Sequence, residues 1–279
     1  VAVIRPFEPD DLDRVDEIHA AAFDLRTALG SPFFRGRVEH AVGTDPKGAF
    51  VAVGLRNRVH GVAVATRREG LWGLTLLAVD PAAQERGLGG LLLARALAYA
   101  EAGDARMVLA STDPRAQHLY ARAGFLPRPT VAARGVVDHR RLRTSRRVRE
   151  GDERDIGLCE AVDRRVRGSA RGSDLAFLMR AGARLWVVET ADGQGYALGQ
   201  AERLTTLCAT DAATAAELLA GVLARAGPGD FEVAWLTEGQ RWAYPVLFAA
   251  GLDVQPWGPI WVDGGVGALV PYVPSGSLL

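Results

Sequence analysis

The sequence predicts an α+β (mixed αβ) fold: two tandem units, each a mixed, mostly antiparallel sheet flanked by helices. Three observations carry this expectation. Apolar runs with strand and helix spacing alternate in the order β-α-α-β-β-β-α-β-α-β-β, with one internal parallel crossover. The same order restarts about 140 residues later. The chain, at 279 residues, is also long for one average domain and comfortable for two.

Taken in order, "AVIRPFEPDDLDRVDEIHAAAF" gives a short strand, then acidic residues leading into a helix. "SPFFRGRVEHAV" reads as a second helix with Ser31 as N-cap and Pro32 in the first helical position. "AFVAVGL" and "VHGVAVATR" form a hairpin across the polar "RNR", and "LWGLTLLAV" is a third consecutive strand, apolar enough for burial on both faces. The glycine-rich "QERGLGG" follows, and then a Leu/Ala helix running to about Ala102. "ARMVLAS" is a strand, "PRAQHLYARAG" a helix closed by Gly124, and "FLPRPTVAARGVVDH" a final pair of strands.

The second pass begins at "VREGDERDI", which echoes "IRPFEPDDL". "LWVVET", "GYALGQ" and "AERLTTLCATD" repeat the three strands, "AATAAELLAGVLARAG" the long helix, and "VLFAAGL" the segment "LYARAGF". The division is expected at 1–143 and 144–279, across "RRLRTSRRVR", read as a solvated linker.

Composition narrows the function classes. The 33 basic and 33 acidic side chains cancel, so there is no overall attraction to nucleic acid or anionic membrane. Lys47 is the sole lysine, as the coding bias of a high-GC bacterial genome would give. Cys159 and Cys208 are too few for a disulfide framework and lack metal-site spacing, so buried thiols in a reducing compartment are expected. No charged-then-apolar leader or transmembrane run is visible; a cytoplasmic protein with no membrane partner is the expectation.

The glycine run can be sorted by elimination. A Walker loop needs a lysine that is not there. A Rossmann fingerprint needs its glycines directly after the strand, whereas seven residues separate Val79 from Gly87. Backbone N–H groups at a helix N-terminus, freed of side chains at Gly87 and Gly89, suit a pyrophosphate. Gln84-x-x-Gly87-x-Gly89 between a buried strand and a helix resembles the acyl-CoA loop of the GCN5-related N-acetyltransferases, the GNAT family. "LYARAGF" at 119–125 is similar to that family's Leu-Tyr-x-x-x-Gly-Phe signature, with Tyr120 in the tyrosine position.

The resemblance implies transfer of an acetyl group from acetyl-CoA to an amine of a small molecule or protein. It implies that pantetheine pairs with the strand edge at Leu77, Ala78 and Val79, and that the pyrophosphate lies on Gln84, Glu85, Arg86, Gly87, Leu88, Gly89 and Gly90. A backbone N–H of the strand would stabilise the oxyanion, and Tyr120 would be the general acid toward the CoA thiolate. Asp113 stands where the family often has an asparagine, and its carboxylate cannot donate the amide hydrogen bond. No glutamate precedes Asp80 on the strand; His19, the Glu39–His40 pair and a water chain are the candidate bases.

The second half resembles a degenerate copy. Aligned on the helix, Thr214, Glu217 and Leu219 stand opposite Gln84, Gly87 and Gly89; aligned on the "AG" turn, Leu247 stands opposite Tyr120. Tyr244 falls three residues early. This half holds Trp186, Trp235, Trp242, Trp257 and Trp261, which suit either a filled core or an aromatic wall for an acceptor or partner. The apolar tail "GALVPYVPSGSLL" could pack on a second copy in a homodimer. A non-catalytic acyl-CoA-binding or sensor protein is the alternative function. Mycothiol-synthase-like chemistry is also tandem, but its working site lies in the C-terminal half, whereas the loop here is N-terminal.

Overall fold

The computed structural model describes residues 2–25, 29–84, 87–276 and 278. The first half runs β1 (Val3–Pro6), α1 (Leu12–Ala22), α2 (Pro32–Thr44), β2 (Ala49–Val53), β3 (Val59–Arg68), β4 (Leu71–Val79), α3 (Leu88–Leu97), β5 (Ala105–Leu109), α4 (Pro114–Arg122) and β6 (Leu126–Val136). The second half repeats that order as β7 (Arg149–Gly151), α5 (Ile156–Arg167), α6 (Gly172–Arg180), β8 (Arg184–Glu189), β9 (Gln194–Gln200), β10 (Arg203–Ala209), α7 (Ala212–Leu223), β11 (Asp230–Thr237), α8 (Tyr244–Ala249) and β12 (Asp253–Asp263). A short β13 (Tyr272–Val273) follows. The repeat is therefore one of structure, element for element. Among the described residues no helix is long and apolar enough to cross a membrane.

Two compact units, Val1–Val108 and Leu109–Leu279, divide the chain. In the first, β1, β2, β3 and β4 pair antiparallel in sequence, and β5 joins β4 in parallel. Alternation sorts the strand side chains. Val51, Val53, Val62, Val64, Leu76 and Ala78 meet Leu12, Val15 and Ile18 of α1 and Phe34, Val38 and Ala41 of α2. Ser31 caps α2 as expected, its Oγ accepting from the Phe34 amide, with Pro32 next. Helix α3 ends at Leu97, five residues earlier than expected. The chain turns there so that the Tyr99 hydroxyl can donate to Asp45 (2.9 Å).

In the second unit β7, β8, β9 and β10 pair antiparallel, and β11 lies parallel to β10. The expected final pair of strands at 125–139 is a single long strand, β6. Its antiparallel partners are β12 on one side (Leu126↔Val262 to Arg134↔Asp253) and β11 on the other (Thr130↔Thr237 to Val136↔Asp230). The joint expected at 143/144 thus falls inside the second compact unit, where β6 sits between β11 and β12. Cys159 and Cys208 are buried free thiols.

Residues 1–143 expressed alone are therefore expected not to fold cooperatively. Both hydrogen-bonded partners of β6 would be gone, and Tyr120, Phe125 and Val137, all buried, would lose their surroundings. At about 1.5–3 kcal/mol for each large apolar side chain, that loss approaches the whole stability of a domain. Urea unfolding followed by circular dichroism checks this; a steep two-state transition for the fragment would refute it.

Candidate active site

Strand β4 changes partners along its length. From Leu71 to Leu74 it pairs with β5, Leu74↔Val108 being the last register pair, and β5 ends at Leu109 while β4 runs on to Val79. On its other side β4 stays paired with β3 to Val79↔Gly61, but Ala65↔Leu74 is followed by Val64↔Leu76, so Thr75 is bulged. The Thr75 hydroxyl donates to the Val64 carbonyl (3.1 Å), and the Thr75 carbonyl accepts from Arg37 Nη1 of α2 (3.1 Å). Leu77, Ala78 and Val79 follow, with their β5-facing edge beyond the reach of β5. An exposed strand edge of this kind is what strand addition by an amide-bearing ligand requires.

The glycine stretch begins where β4 ends. Asp80 caps a short turn, accepting from the Ala82 amide (3.0 Å), and is ion-paired with Arg14 of α1, whose Nε also reaches the Val59 carbonyl. The Gln84 side chain folds back to donate to the Val79 carbonyl (3.1 Å), fastening the loop to the strand. Glu85 and Arg86 lie outside the described residues. Gly87 is the N-cap of α3 at φ +76°, a conformation costly for most side chains, and no side chain caps the helix. Gly90 and Leu91 donate back to the Gly87 carbonyl. The Leu88 and Gly89 amides precede that first intrahelical bond, in a turn that carries the positive end of the helix dipole. Among the described residues, a Cβ at Gly87 would meet nothing within 4 Å. These features fit the pyrophosphate of acetyl-CoA. The helix itself is held to β4 by the buried Trp72 indole, which donates to the Ala96 carbonyl (3.1 Å).

Tyr120 and Asp113 belong to the second unit. Tyr120 is buried (5% exposed), with its ring against Phe125 (6.3 Å, edge-on) and Trp261 of β12 (6.1 Å). Burial raises its phenol above the ordinary value of 10. Asp113 is the N-cap of α4. Its carboxylate accepts from the Arg115 amide (2.8 Å) and side chain, which holds the acid below its usual range. The structure accordingly gives Asp113 a helix-capping role of its own.

The candidate bases fare differently. His19 stacks on Phe34 (3.9 Å), and burial together with the nearby Arg37 charge lowers it to about 4. A neutral imidazole with so weak a conjugate acid is poorly matched to an ammonium near ~10.4. Glu39 is exposed and His40 half-buried on α2. Sequence reasoning missed three residues: Thr75, Arg37 and Arg14. Two had visible signals. Thr75 is the sole polar residue of "LWGLTLLAV", and Arg37 falls on the apolar stripe Phe34, Val38, Ala41.

The second repeat keeps the framework and fills it. Helix α7 begins at Ala212, so its N-cap Asp211 occupies the position of Gly87; the sequence register that set Glu217 there was displaced. Glu217 lies within the helix, paired with Arg147 (3.1 Å). The Asp211 carboxylate accepts from the Thr214 amide (2.8 Å) and hydroxyl (2.7 Å), placing a protein anion where a phosphate would need to sit. Strand β10 has one parallel register pair with β11, Arg203↔Glu232, and its farther edge is taken by β13 (Leu207↔Val273, Cys208↔Tyr272). The chain's own tail thus makes the kind of strand pairing expected of pantetheine. Leu269, Tyr272, Val273 and Leu278 are buried within this unit, which removes the tail as a reason to expect a homodimer. Leu247 stands in the Tyr120 position, since Leu252 N donates to Leu247 O as Phe125 N does to Tyr120 O. Among the tryptophans, Trp186 fills core, Trp261 contacts Tyr120, and Trp257 lies between Trp235 and Arg134.

Residues 13–125 match the family model described as the acetyltransferase (GNAT) family. This stretch is a GNAT domain. Solved structures resemble the whole chain. A candidate acetyltransferase from Pyrococcus horikoshii superposes at TM-score 0.79 with 18% identity, covering 100% of this chain and 96% of its own. A GCN5-related N-acetyltransferase from Sphaerobacter thermophilus gives 0.62 and 15%, covering 94% and 95%. A tandem GNAT protein from the clavulanic acid biosynthesis pathway gives 0.58 and 13%, covering 94% and 98%. At these identities the likeness is one of fold. No curated protein sequence matches the chain.

Proposed function

We propose that this GNAT protein transfers an acetyl group from acetyl-CoA to an amine, with the chemistry in the first repeat (1–143) and a degenerate second repeat (144–279). The observation that carries the proposal is the sequence of features along β4 and α3. A bulged strand runs on past its last pairing with β5 at Leu74, and a helix with a glycine N-cap follows at Gly87. In this reading the β4 edge at Leu77–Val79 takes the pantetheine amides. The amides at the start of α3 take the pyrophosphate, and Gln84 braces the loop rather than binding phosphate itself.

The acceptor nitrogen bonds to the acetyl carbon, the C–S bond breaks, and the sulfur leaves with the electron pair and takes a proton. Tyr120 supplies that proton or a strong hydrogen bond in its place. The acceptor loses its extra proton to a base or to solvent water.

A sensor that binds acyl-CoA without turnover is the second reading, favoured by the burial of Tyr120. Calorimetric titration with acetyl-CoA, beside CoA and NADH, tests the shared premise. One acetyl-CoA site per chain, with NADH silent, is expected. Absence of binding at saturating acetyl-CoA would refute both readings. Thiol release in the presence of primary amines then separates enzyme from sensor.

A further inference from the structure

We infer that Arg37 is a positioning residue for acetyl transfer, holding the bulge of β4 in the geometry that presents the Leu76–Val79 edge; the inference rests on the function proposed above. The peptide bond is planar and trans, so a carbonyl held in one direction fixes the following N–H in the opposite one. Arg37 Nη1 holds the Thr75 carbonyl at 3.1 Å, and the Thr75 hydroxyl is anchored from the other side on Val64 O at 3.1 Å. The Thr75–Leu76 peptide plane is thereby clamped between a helix and a strand. The clamp sits one residue after Leu74, the last position at which β5 supports β4. Beyond it, the phase set by the bulge decides which amides of Leu76–Val79 face β3 and which face the opposite edge.

The arginine is itself held. Its guanidinium lies 5.3 Å from the Phe34 ring centroid, and Phe34 is stacked on His19. Burial lowers the guanidinium to about 10, which still leaves it charged near neutral pH, as a strong donor to a carbonyl requires. The second repeat keeps the bulge, at Thr205, between Leu204↔Gly199 and Thr206↔Leu198. Among its buried arginines, Arg171 bonds Asp163 (3.2 Å), Tyr196 OH (3.0 Å) and Thr206 Oγ1 (2.8 Å).

The test compares Arg37→Met and Arg37→Lys by three readouts. These are acetyl-CoA affinity, thiol release from acetyl-CoA with water or a panel of primary amines as acceptor, and hydrogen–deuterium exchange of segment 75–79. Arg37→Met is expected to slow thiol release at least tenfold and speed exchange at 76–79 at least tenfold, while acetyl-CoA affinity, which draws on the same edge but also on the start of α3, falls by clearly less than turnover. Arg37→Lys, which keeps a charged donor, should recover most of both. Unchanged exchange, or affinity falling in step with turnover, would overturn the inference. If wild-type protein neither binds nor turns over acetyl-CoA, the proposed function fails and takes this role with it, whereas exchange still reports whether Arg37 orders the strand. Should Arg37→Met not fold, Thr75→Val removes the opposite anchor and is expected to move exchange and turnover in the same directions.

Discussion

Gly87→Asp is expected to weaken acetyl-CoA binding at least ~100-fold without unfolding the protein. Two physical effects are separable here. Gly87 has φ +76°, where aspartate and asparagine are tolerated better than other side chains, and an added Cβ meets nothing within 4 Å. The fold should therefore survive. The new carboxylate would stand at the N-terminus of α3, where the first amides and the helix dipole favour an anion. Two like charges about 4 Å apart at an effective dielectric near 20 repel by ~4 kcal/mol, which screening and side-chain rotation reduce but do not remove. Gly87→Asn brings the same bulk and no charge, and should cost less than ~10-fold. Calorimetric titration of the two variants checks the pair. Equal losses would mean that shape matters here and charge does not; no loss in either would remove the pyrophosphate from this terminus. The second repeat already carries the experiment's analogue, since Asp211 caps α7 at the corresponding position.

Local signals in the sequence located nearly every element. Ser31-Pro32 announced α2, the apolar alternation of "AFVAVGL" and "VHGVAVATR" announced β2 and β3, and the doubled order announced the repeat. What stayed hidden depends on pairing between distant segments. "FLPRPTVAARGVV" reads as strand whatever lies beside it, and nothing local states that its neighbours are Asp230–Thr237 and Asp253–Asp263. The tail was legible as apolar, but apolarity does not distinguish packing on a second copy from pairing with β10. The displaced register at α7 has a similar origin. An Ala/Leu-rich helix slides against its counterpart without penalty in a sequence comparison, and the structure fixes its start through the Asp211 cap. The candidate site follows the same division. The glycine terminus and Tyr120 carry recognisable spacing, whereas the clamp from Arg37 to Thr75 joins a helix to a strand 38 residues away.

Tyr120→Phe is expected to reduce acetyl transfer by roughly 100-fold or more, within the span usual for a lost general acid, and to leave acetyl-CoA affinity within about threefold. The ring already packs against Phe125 and Trp261, so phenylalanine keeps the contacts and removes one oxygen. Burial adds a consequence in pH. A phenol raised above 10 remains protonated through the ordinary alkaline range, so turnover should show no alkaline fall from this group below pH 10. Such a phenol is also a weaker acid toward a thiolate near ~8.5, which makes a hydrogen bond in the transition state the larger part of its contribution. Trp261→Ala supplies the sign check. Opening the site to water lowers the phenol toward 10, and an alkaline fall in turnover should then appear at lower pH than in the parent. Rate–pH profiles of the parent, Trp261→Ala, Tyr120→Phe and the double variant decide it. The fall must vanish in the double variant if the phenol causes it, and its persistence there would assign the titration to another group.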